Sequence, residues 1–301
     1  MDSKTNIKND NKVPALVGLI SVVALWGLDF VVLDYILDYV SAPLVTLFRM
    51  AISGIIVTLY VLIKEKGWHL KSKKDLFQLI IFGAVFTGIY YTVEAAGISM
   101  TSGPVSSLIM TTVPVFGMIA DKILYGRKIT PVKIIGIIGS IIGVAMIVFG
   151  TGSGSAKITL AGVIVMFSAA LLWTSYIVLA DPFSRKCSLG AFLSIMFLSG
   201  TVACALIAFV QSRIYTLKAD FTPTICLLIF MSALVCILLC EIIYVHSIRK
   251  LSVTTVSLAN NLLPLVTIIF SFFVFGQTMS AVQLIGGAVI IFCVSLITVK
   301  E

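Results

Sequence analysis

Apolar stretches of bilayer-crossing length alternate with short polar breaks along the whole chain. A helix needs about 20 predominantly apolar residues to cross a hydrocarbon core. By that rule the pattern predicts ten spans, at 14–34, 43–63, 76–97, 103–123, 131–149, 159–181, 189–210, 223–247, 253–275 and 279–299. The longest breaks are 64–75, rich in lysine, and 211–222. Residues 1–12 are polar, and the run that follows is too long for a signal-peptide core, so it reads as a retained first span.

The pattern also repeats. Residues 102–149 shifted by 150 positions land on 252–299 without a gap: Ser102 on Ser252, Ser107 on Ser257, Pro114 on Pro264, Gly126 on Gly276 and Gly136 on Gly286. Each copy reads as an apolar helix with a central proline, a turn ending in glycine, and a second apolar helix. Five spans per half is an odd number, so the second half enters the membrane from the opposite side. The expected fold is an all-α integral membrane protein, ten transmembrane helices in two inverted five-helix repeats. Such repeats suit alternating access around a mid-membrane site. The expected organisation is a polar cytoplasmic N-terminus at 1–12, a first repeat at 13–150, a Gly/Ser linker at 151–158 and a second repeat at 159–300.

Composition agrees with a membrane protein. Hydrophobic residues make up 59% and charged residues 11%, against about 25% charged in soluble domains. The net charge of +8 reads as loop charge facing an anionic inner leaflet rather than as a nucleic-acid footprint. Of the 21 Lys and Arg, Arg49 lies inside a span and only Lys157, Arg213 and Lys218 fall on the outer side once both termini are placed in the cytoplasm. By the positive-inside rule this fixes the expected orientation in the cell's inner (cytoplasmic) membrane. The six cysteines sit mostly in apolar runs and read as small buried hydrophobes.

Several short motifs recur in a fixed order: Leu25-Trp26-Gly27 in span 1, Phe48-Arg49-Met50 early in span 2, and Thr101-Ser102-Gly103 leading into span 4. Pro114 and Pro264, the Gly126 and Gly276 turns, and Ile135-Gly136 with Ile285-Gly286 complete the set. In this order and spacing, over nearly the whole chain, the sequence resembles the drug/metabolite transporter superfamily and within it the EamA-type permeases. The resemblance implies a secondary transporter of a small polar or amphiphilic metabolite, such as an amino acid or amine. It does not select a substrate. Where that family often carries an acid after the turn glycine, this chain has Arg127 and Gln277.

Ionisable groups inside spans are expensive and are functional candidates by default. Here they are Asp29, Arg49, Glu94, Asp121, Glu241 and His246, together with Asn260 and Asn261. Asp121 lies at an inner helix end and reads as solvated. Asp29, Arg49 and Glu94 fall at similar depth in the outer half. One acid is expected to neutralise Arg49, leaving Glu94 to bind substrate or carry a coupling proton. Tyr90 and Tyr91 put an aromatic face beside Glu94. In the 150-residue register Glu241 matches Tyr91, and Tyr244 matches Glu94, so each half has one acid and one tyrosine in swapped order. Glu241 reads either as a substrate ligand or as a buried acid satisfied by hydroxyls or His246.

Trp26 and Trp173 occupy the first span of each half, away from its ends, with Tyr176 three residues beyond Trp173. Aromatic rings beside a carboxylate suit an amine, a quaternary ammonium ion or an amino acid side chain. Pro114 and Pro264 are expected hinges. Thr111, Thr112, Asn260 and Asn261 before them either bind substrate or satisfy freed backbone. Gly136, Gly139, Gly143 and Gly286-Gly287 have helix-packing spacing, within the chain or between the protomers of a homodimer. The sequence shows no nucleotide loop, metal cluster or nucleophile triad, so no enzyme, cofactor or metal is expected. The competing reading is a non-transporting receptor or scaffold subunit, which has no need of six ionisable groups in its spans.

Overall fold

A computed structural model describes residues 12–117, 119, 131–149, 158–248, 250–251, 259–260, 262–276 and 278–299. Residues 151–157 of the Gly/Ser linker, Asp121, Gly126, Arg127, Asn261 and Gln277 lie outside the described residues. Six helices are long and apolar enough to cross a membrane: α1 (Val13–Ile36), α2 (Ala42–Glu65), α3 (Lys73–Ser99), α6 (Leu160–Ser184), α7 (Leu189–Ser212) and α8 (Pro223–Ile248). Four further apolar helices complete the set: α4 (Gly103–Gly117), α5 (Pro131–Phe149), α9 (Leu263–Phe275) and α10 (Ala281–Val299).

The helices begin where a side chain can replace the missing intrahelical acceptor. Ser72, Ser102, Thr159, Ser188 and Thr222 accept backbone N–H bonds from Asp75, Val105, Gly162, Ala191 and Ile225. Gly276 ends α9 in the left-handed region at φ 62°, which a residue without Cβ adopts at no steric cost. Many outward side chains are apolar and exposed, including Ile55, Ile63, Leu206 and Phe209, as a lipid-facing surface requires.

The halves pack by exchange. α2 lies against α7 and α5 against α10, while α1 packs on α8 and α9 as α6 packs on α3 and α4. Both third helices carry a π-helical turn at matching positions, Ala84–Ile89 in α3 and Ser232–Leu239 in α8. A π turn widens the helix and re-aims its carbonyls. In α8 the Ala233 carbonyl accepts from Ser53 Oγ at 2.9 Å and the Cys236 carbonyl from Trp26 Nε1 at 3.0 Å. At one end of the bundle the halves are pinned by backbone bonds, from Ser41 N–H to the Lys218 carbonyl at 3.0 Å and from Asp220 N–H to the Tyr39 carbonyl at 3.2 Å.

Two expectations are refined. A Cβ at Gly139 meets Cys293 Sγ at 2.2 Å and one at Gly143 meets the Gly286 carbonyl at 2.6 Å. These glycines serve close packing of α5 on α10 within one chain, so they are not available to a second protomer. The predicted span 103–123 is broken, because the hydrogen-bonded turn Thr111-Thr112 interrupts α4 just before Pro114. Pro264 sits in the first turn of α9, where a missing N–H costs nothing.

Candidate functional site

The centre of the bundle is built from pairs related by the repeat. Tyr91 Oη donates to Glu241 Oε1 at 3.0 Å, and these residues are 150 positions apart. A residue and its repeat counterpart touch only close to the axis that exchanges them, so this bond marks the pseudo-two-fold. Trp26 on Cys236 is mirrored by Tyr176 against Phe86, with ring centroids 5.8 Å apart.

A narrow cavity lies across this axis. Its wall contains Trp26, Asp29, Phe30, Tyr90, Tyr91, Glu94, Met110, Val113, Trp173, Asn260 and Leu263. Met110 and Asn260 are repeat partners, as are Val113 and Leu263, so the breaks before the two prolines face one another across the cavity. The Trp26 and Trp173 rings meet edge to face, with centroids 5.3 Å apart and planes at 85°. Tyr244 packs on both, at 5.0 Å and 5.5 Å, and Tyr90 stacks on Trp173 at 5.1 Å. Tyr90 Oη donates to Glu94 Oε1 at 2.5 Å.

Arg49 Nη2 donates to Asp29 Oδ2, and Ser232 Oγ donates to Asp29 Oδ1 at 2.6 Å. Arg49 is fully buried, and its Nε and Nη1 make no hydrogen bond among the described residues. Asp29 is thus the acid paired with Arg49, and Glu94 is held by a phenol. Tyr176 and Glu241, also expected at the cavity, form the layer behind it. Glu241 accepts from two hydroxyls, Tyr91 and, at 2.9 Å, Tyr176. Thr111 and Thr112 hydroxyls donate to the Leu108 and Ile109 carbonyls, each at 2.7 Å. They are spent on the backbone freed at the break.

Two participants escaped the reading of the sequence. Ser232 was one serine in an apolar run, with no spacing to tie it to Asp29. Asp34 fell at the predicted end of span 1. In the structure α1 continues beyond it, and Asp34 Oδ2 accepts the Gly103 N–H at 3.1 Å, holding the start of α4 against α1.

A second cavity opens between α4 and α9 near Thr101, Ser102, Ser271, Thr278 and Gln283. On the other side of the axis Phe82, Phe86, Phe183 and Phe192 fill the space, Phe82 lying 4.5–6.0 Å from Phe86, Tyr176, Phe183 and Phe192.

The sequence matches the EamA-like transporter family twice, over residues 13–149 and 160–299. The chain belongs to that family. Among curated relatives it is 23% identical over 268 residues to the uncharacterized transporter YdfC of Bacillus subtilis, covering 89% of this chain and 85% of that one. It is 25% identical over 239 residues to an uncharacterized transporter of Archaeoglobus fulgidus, covering 79% and 81%. A solved structure titled only "Crystal structure of protein" shares the fold, with a TM-score of 0.65, 14% identity and coverage of 96% and 98%. The chain is therefore a multi-pass membrane transporter and not an enzyme.

Proposed function

We propose that this transporter is a secondary carrier moving a small polar or amphiphilic metabolite that bears an amine across the cytoplasmic membrane by alternating access. The observation that carries the reading is Glu94 on the wall of an aromatic cavity, beside Tyr90 and facing Trp26 and Trp173. A desolvated ammonium gains both from the carboxylate and from the ring faces. Arg49 is already tied to Asp29, so the group left for the ligand at the cavity wall is acidic. The rings touch one another at 5.0–5.5 Å, so a ligand must part them to enter.

Inverted repeats supply the alternation. With both termini in the cytoplasm, the reading favoured by the basic residues, the cavity leans outward and the phenylalanine layer closes the inner side. Pro114 and Pro264, with the breaks that precede them, are the places where α4 and α9 can bend. The test is flux of labelled amines, amino acids and quaternary ammonium compounds in proteoliposomes. One class should be moved by the wild type and bound at least tenfold more weakly by Glu94→Gln. Absence of flux across the whole panel by folded protein would favour a receptor or scaffold.

A further inference from the structure

Glu241 is the buried acid that the substrate reading leaves without work. It is 2% exposed and absent from the cavity wall. An in-span carboxylate is expensive and marks function by default, yet among the described residues no cation is bonded to Glu241. It is faced by Tyr90 and Tyr91 from α3, Tyr176 from α6, and Cys240 and Tyr244 from its own helix. On α1, Asp29 acts on Cys240 and is held by Arg49 and Ser232.

The geometry points to Glu241 as the group that exchanges the coupling proton, loaded from the cavity through the Tyr91 hydroxyl. Tyr91 stands on the cavity wall and donates to Glu241 Oε1. In the transfer the Tyr91 O–H bond breaks as an O–H bond forms on Glu241, and the Tyr91 oxygen takes a proton from a hydronium ion entering the cavity from solution, which leaves as water. The net change is one proton from hydronium to carboxylate, giving water and the neutral acid. Two phenol donors, one per oxygen, suit the ionised acid, which only accepts. The neutral acid carries a hydroxyl that itself donates, so the phenol facing it has to turn from donor to acceptor or give way. Tyr91 belongs to the first half and Tyr176 to the second, and the bond sits on the axis between them. Loading Glu241 therefore changes how the halves are tied, which a coupling site must do.

This inference rests on the transport reading for its meaning, but its test needs no substrate. The probe is the proton. The full chain in detergent is titrated with pH while infrared difference spectra follow carboxyl protonation and tryptophan fluorescence follows Trp173, whose ring stacks on Tyr176 at 4.9 Å. The wild type should show a fluorescence transition that coincides with a carboxyl band. Glu241→Gln should lose both, and Glu94→Gln should keep them. Tyr176→Phe removes a donor that serves the carboxylate and should move the midpoint by about one pH unit. It does so whether or not Glu241→Gln folds. A transition kept in Glu241→Gln, or unmoved in Tyr176→Phe, overturns the assignment whatever the flux panel finds.

Discussion

The same structural place is filled in opposite ways in the two halves. In one, Asp29 pairs with Arg49 and takes a hydroxyl from Ser232. Subtracting or adding 150 gives the counterparts: Leu179, Ser199 and Phe82. There Phe82 belongs to a ring cluster, stacked on Phe183 at 4.5 Å and 14°, while Ser199 donates to the Ile195 and Met196 carbonyls and Leu179 is exposed. One backbone frame thus accepts an ion pair or a packed apolar cluster. Replacement of a buried pair by apolar groups is often neutral, whereas breaking it strands a charge. Duplication kept the packing and let chemistry diverge, leaving one side with an ion pair and the other packed with rings.

The sharpest way to break this comparison is to convert one side into the other. Asp29→Leu alone leaves Arg49, with 0% exposure, without the acid it is bonded to and should cost about 3–5 kcal/mol. Asp29→Leu/Arg49→Ser, which installs two of the three residues of the other half, should recover most of that loss. Thermal unfolding in detergent reads both. A double variant as unstable as the single one would show that the frame is not shared.

The converse change acts on the aromatic side. Phe82→Ala removes contacts with four rings and should cost about 3 kcal/mol. It should also admit water-soluble thiol reagents to a cysteine introduced at Phe86. Stability close to wild type would mean that the layer is not packed as a seal.

These contrasts were only partly legible in the sequence. The register was readable because no gap separates 102–149 from 252–299, and odd span number gave the inversion. That Arg49 is neutralised followed from the cost of a bare charge, but Asp29 and Glu94 lay at equal depth, and only packing chooses between them. The π turns left no trace, because Ala84–Ile89 and Ser232–Leu239 sit inside apolar runs where hydropathy is blind to a carbonyl's direction. The Tyr91–Glu241 match was visible as an alignment of two unlike residues. That the alignment is also a contact depends on where the axis falls, which no pattern along one chain encodes.

A smaller effect tests how tightly the two frames differ. The position occupied by Ala233 in α8 is Gly83 in α3, where an added Cβ would lie 2.6 Å from Met196 Cα and 2.8 Å from its carbonyl oxygen. Those are backbone atoms and cannot swing aside. Gly83→Ala should destabilise by about 1–3 kcal/mol in the same unfolding assay. A neutral result would place α3 and α7 farther apart than described.

The smallest expected effect separates the two helix breaks that face each other across the cavity. On the α9 side the break presents Asn260 to the cavity, while on the α4 side the hydroxyls of Thr111 and Thr112 turn back to the Leu108 and Ile109 carbonyls. Valine keeps the shape of threonine and removes only the hydroxyl. Hydrogen bonds inside membrane proteins average about 0.6 kcal/mol, so Thr111→Val and Thr112→Val should each cost less than about 1 kcal/mol. Flux of whichever compound the wild type carries should be unchanged within twofold. Asn260→Leu, by contrast, removes a polar group from the wall and should weaken binding while leaving stability nearly intact. If a threonine variant lost flux as Asn260→Leu is expected to, with unfolding unaltered, the hydroxyls would belong to the substrate and not to the backbone. The α4 break would then be a ligand site like its counterpart.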